Sequence, residues 1–293
     1  MNIIYILSYE RSGSTLFHNV LGQIEGFFSV GELRYFADRF HDTRPCGCGD
    51  KVTDCHFWRK VIAKFPNINM QTSKIPRYIK GQYLPIIFLP FSKILIRLIF
   101  SRHLTYINQL YKAIEGESRS LVIIDSSKSP IYCYLLSLIP EINLKIIHLI
   151  RSVYGVEYSL YKRKQTGHPK YQKHNPLYGS VRWVLSNIVS TKLVKKIGVP
   201  YKQIKYEQFI LNPEKTVKLI LDWLHMRDLN IDFIYKRGVT LYPTHSVGGS
   251  PSRHITGEVP LKLDIDWKKN LPQLYKTIIS IIARPLLIKY GYY

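Results

Sequence analysis

The apolar positions of the chain change period several times, and each change marks an element. Ile3-Ile4-Tyr5-Ile6-Leu7 is an unbroken apolar run rich in β-branched residues, which predicts a buried strand close to the N-terminus. It stops at the hydroxyl-rich stretch from Ser8 to Thr15, after which Leu16, Val20, Leu21 and Ile24 recur with helical spacing. In such a strand–loop–helix turn the backbone N–H groups of Ser12, Gly13, Ser14 and Thr15 face into the loop, where a helix N-terminus already favours an anion. Ser14 and Thr15 add hydroxyl donors, and Arg11 adds a planar charged fork. A Walker-type loop for nucleoside triphosphates needs two spaced glycines and a Gly-Lys-Ser/Thr ending. This loop has one glycine and no lysine, so it suits a phosphate-like group rather than a γ-phosphate with Mg²⁺. An ordinary turn that happens to carry Arg and Ser is the plainer alternative.

The same alternation continues. Phe27-Phe28-Ser29-Val30-Gly31 predicts a second strand ending at Glu32, and Leu33 to Phe40 a helix. Leu121-Val122-Ile123-Ile124-Asp125 predicts a strand leading into Ser126-Ser127-Lys128-Ser129-Pro130, then a helix to about Ile139. Leu144 to Ile150 predicts a long strand ending at Arg151, then a helix from Val153 to about Arg163. Strands alternating with helices imply an α/β fold with a central parallel β-sheet flanked by helices. Sheets of this kind place ligands at the C-terminal ends of their strands. Arg11, Glu32, Lys128 and Arg151 all fall at such ends. Further on, Lys164 to Pro176 reads as a basic loop, and Tyr178 to Lys196 as a helix with Val181, Leu185 and Ile188 inward. Gln203 to Tyr206 reads as a short edge strand, Pro213 to Leu224 as an amphipathic helix, Leu241 to Pro260 as a long loop and the remainder as helix.

Between the second and third strands, Ile75 to Glu115 reads as inserted and helical. Phe91, Ile94, Leu95, Leu98 and Ile99 make one apolar face, and Leu104, Ile107, Tyr111 and Ile114 a second stripe. Such stripes ordinarily pack into a core, although a basic amphipathic helix can also lie on a membrane or gather an amphiphilic acceptor.

Composition narrows the classes. With 46% apolar and 21% charged residues over 293 positions the chain is globular, and it is large enough for one α/β domain or two smaller ones. A formal charge of +22 attracts polyanions without naming one, and genome-wide bias towards lysine is an equal explanation. The chain opens directly into a strand, with no signal-like n-region, and its most apolar window, Gly81 to Ser92, is too short to span a bilayer. Four cysteines do not make a disulfide framework, so a reduced, cytoplasmic protein is expected. Three of them, Cys46, Cys48 and Cys55, cluster near His41 and His56. Zinc, a disulfide, or simply reduced buried thiols would each account for this cluster, the Cys-x-Cys spacing being tighter than is usual for structural zinc.

Taken together, these motifs resemble the sulfotransferases that use 3′-phosphoadenosine-5′-phosphosulfate (PAPS), in particular a bacterial branch similar to the carbohydrate and tyrosylprotein enzymes. The resemblance runs from end to end and is weakest from Asn67 to Ser120. It implies a P-loop-like sulfotransferase fold as one domain over 1–293, with a helical acceptor-side insertion at about 67–118. It implies that Arg11, Ser12, Gly13, Ser14, Thr15 and Leu16 hold the 5′-phosphosulfate, and that Arg151 and Ser159 hold the 3′-phosphate. Tyr206, in Tyr206-Glu207-Gln208-Phe209, is expected near the adenine. The late loop His245-Ser246-Val247-Gly248-Gly249-Ser250-Pro251-Ser252-Arg253 is expected to close on the 3′-phosphate through Arg253. Bacterial members carry Gly-Asn-Pro-x-Arg there, and this chain has Ser250 in place of the asparagine.

The phenol and steroid branch takes its base from a histidine in a Lys-Thr-His stretch, and the corresponding Lys128-Ser129-Pro130 has none. The glutamate of the carbohydrate and tyrosylprotein branches resembles Glu32, which is therefore the expected base, with His245 as second candidate. Glu32, Lys128 and Arg11 are the expected catalytic residues, PAPS is the cosubstrate, and the resemblance implies no metal in the reaction. The expected partner is a hydroxyl-bearing acceptor, a glycan or small metabolite ahead of a peptide tyrosine. Nucleic acid is not expected, and peripheral membrane contact and oligomeric state are left open. The rival readings are a P-loop-like kinase and a non-catalytic basic protein that binds nucleic acid or membrane.

Overall fold

Five strands lie side by side in parallel: β1 (Asn2–Ser8), β2 (Phe27–Gly31), β3 (Val122–Asp125), β4 (Asn143–Ile150) and β5 (Tyr201–Lys205), in the order β2-β3-β1-β4-β5. The structure is a computed structural model and describes residues 1–41, 44–64, 84–236 and 238–292. Helices cover both faces of the sheet, and for this reason the central strand β1 is apolar from Ile3 to Leu7 instead of alternating, whereas the edge strand β5, Tyr201-Lys202-Gln203-Ile204-Lys205, buries only Ile204. In β1, Ile3, Tyr5 and Leu7 point into a cluster with Trp58, Tyr111 and Tyr134, while Ile4 and Ile6 point the other way, towards Phe17, Phe209 and Ile220. A third cluster joins the helices Val153–Gln165, Pro176–Ile197 and Gln273–Lys289 around Trp183 and Ile279.

The strand order positions the site. β1 is central, with β3 on one side and β4 on the other, so the chain leaves its C-terminal end at a topological switch point. Ser126 N donates to Gly31 O at 2.8 Å, and Val247 N donates to Val30 O at 2.9 Å. The end of β2 is thus pinned between the turn after β3 and the late loop.

Several expectations need correction. The inward face of Pro176–Ile197 is Trp183, Asn187, Ser190 and Leu193, whereas Val181 and Leu185 are exposed and Ile188 is half-buried. The helix lies over polar structure: Asn187 contacts His148 Nε2 through Oδ1 at 3.0 Å and donates to Trp183 O, and Trp183 Nε1 donates to Arg151 O. The packed face is therefore mixed, with Asn187 and Ser190 beside Trp183 and Leu193, and Val181 and Leu185 are left in solvent. The helix also starts earlier than the periodicity suggests, because Asn175 caps it, accepting from Leu177 N, with Pro176 in its first turn. Leu241 to Pro260 is not all loop. β7 (Gly238–Leu241) and β8 (Gly257–Pro260) pair antiparallel and join β6 (Ile234–Tyr235) in a small second sheet.

Part of the inserted region, 67–83, lies outside the described residues. Within the rest, Ile107, Tyr111 and Ile114 are buried as expected, but helix Ser92–Ile99 buries Ser92 and Ile96. Its stripe Phe91, Ile94, Leu95, Leu98 and Ile99 is exposed, Phe91 by 82%. Ser92 is drawn inward by a 3.0 Å hydrogen bond with Tyr134, which rotates the stripe outward. Among the described residues no helix is long and apolar enough to cross a membrane.

Candidate active site

The loop after β1 is built around two unusual backbone positions. Gly13 sits at φ +81°, and a Cβ there would lie 2.1 Å from Tyr206 Cε2, so no other residue fits without displacing the tyrosine. Arg11 takes φ 64°, a left-handed conformation that costs a non-glycine residue energy. Lys128, in the turn after β3, does the same at φ 64°. Two of the chain's cationic side chains are thus aimed by strained backbone at neighbouring strand ends.

On the β4 side, Arg11 Nε donates to Ser159 Oγ at 3.0 Å, and Arg151 Nη1 donates to Arg11 O at 3.0 Å. The Arg151 guanidinium lies 4.8 Å from the centre of the Tyr206 ring, and Nη2 lies 3.6 Å from Asp264 Oδ2. Arg11, Arg151, Ser159, Tyr206 and Gly13 therefore form one group. Burial, followed by the like charges of Arg163 and Arg151, lowers the pKa of Arg11. Concentrated, partly dehydrated positive charge of this sort favours an anion.

On the β2–β3 side, Lys128 Nζ donates to Glu32 Oε1 at 2.6 Å. Burial pushes the Glu32 carboxyl up, but the charge and hydrogen bond of Lys128, helped by Arg34, outweigh it and leave the pKa below the usual value. Glu32 is held by its frame as well as by its partner. Arg34 N donates to Ser127 Oγ at 3.0 Å, tying the exit of β2 to that of β3. Thr15 Oγ1 accepts from Ser250 N at 3.1 Å, bringing the late loop onto the first. Arg253 is buried and donates to Gly249 O, Ser250 O and Pro45 O, bracing the late loop. Leu16 packs into the apolar cluster behind the sheet. His245 lies among Cys46, Cys55 and Phe57.

Sequence reasoning missed several residues here. His18 is fully buried on the first helix, its Nδ1 2.5 Å from Ser126 Oγ. A polar pair, His18-Asn19, between apolar Phe17 and Val20 was the available signal. Glu207 fastens the turn that follows Arg151: it accepts from Ser152 N at 2.9 Å and from the Tyr292 hydroxyl at 2.7 Å. Asp125, at the end of β3, accepts from Ser127 N and from the Tyr111 hydroxyl, and burial raises its carboxyl to about 6.

Burial, with the charge of Lys128 second, lowers the imidazole of His18 to about 3. The unfolded imidazole titrates near 6.5, so the stability that His18 contributes is complete above about pH 6.5 and is lost as pH falls towards 3. Asp125 acts in the opposite sense, because its raised carboxyl favours the fold at low pH and that contribution is lost as pH rises through about 6. Thermal unfolding of His18→Asn compared with the parent protein isolates the first term. The variant should lose Tm less steeply between pH 6.5 and 4, and parallel curves would show that His18 does not drive the acid response.

A doubly covered parallel sheet, a glycine-bearing loop between its central strand and the first helix, and strained cations at the adjoining strand ends define a P-loop-like fold. The family model described as the sulfotransferase family matches residues 4–229, and the chain belongs to that family. Two solved structures share the fold over nearly their whole length. The sulfotransferase domain from the curacin biosynthetic pathway has a TM-score of 0.57 at 20% identity, covering 97% of each chain. The sulfotransferase domain from the Synechococcus PCC 7002 olefin synthase has a TM-score of 0.55 at 20% identity, covering 98% of this chain and 94% of its own. No curated protein sequence matches the chain.

Proposed function

We propose that this sulfotransferase takes its sulfuryl group from PAPS and delivers it to an acceptor hydroxyl, with Glu32 as general base. The observation that carries the reading is the 2.6 Å Lys128–Glu32 pair at the strand ends next to the anion loop. It sets an ionised carboxylate and a cation where proton removal and charge stabilisation are both needed. The loop residues fit the cosubstrate. Ser12 Oγ is buried and, among the described residues, has no hydrogen-bond partner, and Gly13, lacking a side chain, lets the Tyr206 ring lie against the loop. When bound, PAPS supplies an activated sulfuryl group and departs as adenosine 3′,5′-bisphosphate.

The chain's own residues would then act as follows. Ser12, Gly13, Ser14 and Thr15 hold the 5′-phosphosulfate through loop N–H and hydroxyl groups, and Arg151 with Ser159 holds the 3′-phosphate. Glu32 Oε accepts the proton of the acceptor hydroxyl as its oxygen bonds to sulfur. Lys128 and Arg11 stabilise the negative charge that builds on the leaving oxygen. An incoming anion draws on the positive charge of Lys128, which weakens its hold on Glu32 and raises the basicity of the carboxylate at the moment it is used. The acceptor proposed is a glycan or small-metabolite hydroxyl.

Nucleotide selectivity tests this reading. Adenosine 3′,5′-bisphosphate should raise Tm more than ADP or ATP at equal concentration, with or without Mg²⁺. Preference for ATP with Mg²⁺, or equal shifts with all three nucleotides, would overturn it.

A further inference from the structure

The sulfotransferase reading leaves a second cluster of reactive side chains unused. Cys46, Cys48, Cys55 and His245 bring three sulfurs and one imidazole nitrogen to within 4.8 Å of one another. We propose that these four residues bind a structural zinc ion, which fastens the late loop to the segment between Arg44 and Cys55.

The spacing fits a tetrahedron. Zinc–sulfur bonds of about 2.3 Å place the thiolates of a tetrahedral site about 3.8 Å apart. Cys48 Sγ lies 3.7 Å from Cys55 Sγ, and His245 Nδ1 lies 3.2 Å from Cys55 Sγ and 4.0 Å from Cys46 Sγ. A disulfide would bring one sulfur pair to about 2.05 Å, and all four cysteines of the chain are free. Soft thiolates with one imidazole form a donor set typical of zinc, and four protein ligands leave no open position, which marks a structural site.

The ligands are held before any metal arrives. Cys46 N donates to Asp50 O at 2.7 Å and Gly49 N to Cys46 O at 3.0 Å, folding Cys46-Gly47-Cys48-Gly49 into a tight turn. Gly47 lies so close to the late loop that a Cβ there would meet Thr244 O at 2.5 Å. Its N–H donates to Ser246 O at 2.9 Å. Cys55 stands at the N-cap of helix His56–Ala63, where a thiolate is favoured by the helix dipole. The His245 ring stacks on Phe57 with centroids 5.1 Å apart, and its backbone carbonyl accepts from Trp58 Nε1 at 2.8 Å. Ligand orientation by such surrounding contacts is what metal sites require. His56, the neighbour that the sequence suggests, only meets the edge of His245. The fourth ligand comes instead from 190 residues beyond Cys55. Through Ser250 and Arg253 the same loop reaches Thr15 and Pro45, so the metal would set the position of the loop that leans on the anion site.

The test is the metal content of the full chain, expressed with zinc in the medium and purified without metal resin or chelator. Plasma mass spectrometry should find about one zinc per chain, and X-ray absorption should find three sulfurs at about 2.3 Å and one nitrogen at about 2.0–2.1 Å. His56→Ala and Cys133→Ala should keep the metal, while Cys48→Ser and His245→Asn should lose most of it. Should those two variants fail to fold, Co²⁺ substitution of the parent protein gives an independent reading: the intense visible bands of tetrahedral cobalt with thiolate charge transfer. Folded protein with little zinc and three titratable thiols, a Cys48–Cys55 disulfide, or zinc retained in His245→Asn would each overturn the assignment. None of these readouts depends on PAPS or on turnover, so the proposal stands or falls apart from the reading of the active site.

Discussion

Glu32→Gln should bind adenosine 3′,5′-bisphosphate at least as tightly as the parent protein and turn over roughly 10²–10⁴-fold more slowly, the usual range for loss of a general base. The substitution keeps the shape of the side chain while removing its charge and its capacity to take a proton. Lys128, relieved of a partner 2.6 Å away, then presents its full charge to an anionic ligand, so nucleotide affinity has reason to hold or rise. Separating affinity from rate is what makes the experiment informative. Calorimetry with the bisphosphate reports the first, and single-turnover sulfation with labelled PAPS reports the second. If both fall together, Glu32 supports the fold of the site. Turnover that persists with normal affinity would move the base to another residue.

Arg151→Ala should show the opposite pattern, with the bisphosphate bound roughly 10- to 150-fold more weakly, as expected from loss of a charged hydrogen-bonding group worth about 1.5–3 kcal/mol. Arg151 is buried and held from several sides. It donates to Arg11 O, lies against the Tyr206 ring and faces Asp264. Its removal leaves Ser159 and Arg11 without the neighbouring charge and leaves Asp264 with less compensation. ADP, which lacks the 3′-phosphate, should lose far less affinity, and that contrast is the readout. Equal losses for the two nucleotides would mean that Arg151 acts by positioning Arg11 rather than by meeting the 3′-phosphate. Thermal unfolding of the variant without ligand controls for the packing it gives up.

The ends of the strands were legible without any structure. Strands buried on both faces are predominantly apolar, so the end of each apolar run marks where the chain leaves the sheet. Arg11, Glu32, Lys128 and Arg151 stand at or just beyond those exits, and all four lie around the central loop. The left-handed backbone of Gly13, by contrast, came only with the structure. What failed was inference about faces. Periodicity locates an apolar stripe but not what covers it. Val181 and Leu185 were expected inward because they are apolar, yet the helix that carries them lies on His148 and the backbone of Arg151, and its buried face is Trp183, Asn187 and Ser190. His18 is hidden from such reasoning because polar residues in an amphipathic helix usually face water, whereas here His18 and its neighbour Asn19 are both buried.

By itself, then, the sequence determined the strands of the parallel sheet and the helices that alternate with them, the glycine-bearing loop after β1 and the set of charged residues that close the strands, but not the small second sheet. These follow from local rules: backbone sterics, side-chain period and the cost of placing charge in a doubly covered sheet. Only the tertiary structure decided which of those residues meet. The order β2-β3-β1-β4-β5 pairs Glu32 with Lys128 on one side of the loop and Arg151 with Arg11 on the other. The return of the chain after β7 brings His245 to cysteines encoded far upstream. Contacts between distant segments depend on how the whole chain packs, and no local pattern carries that information.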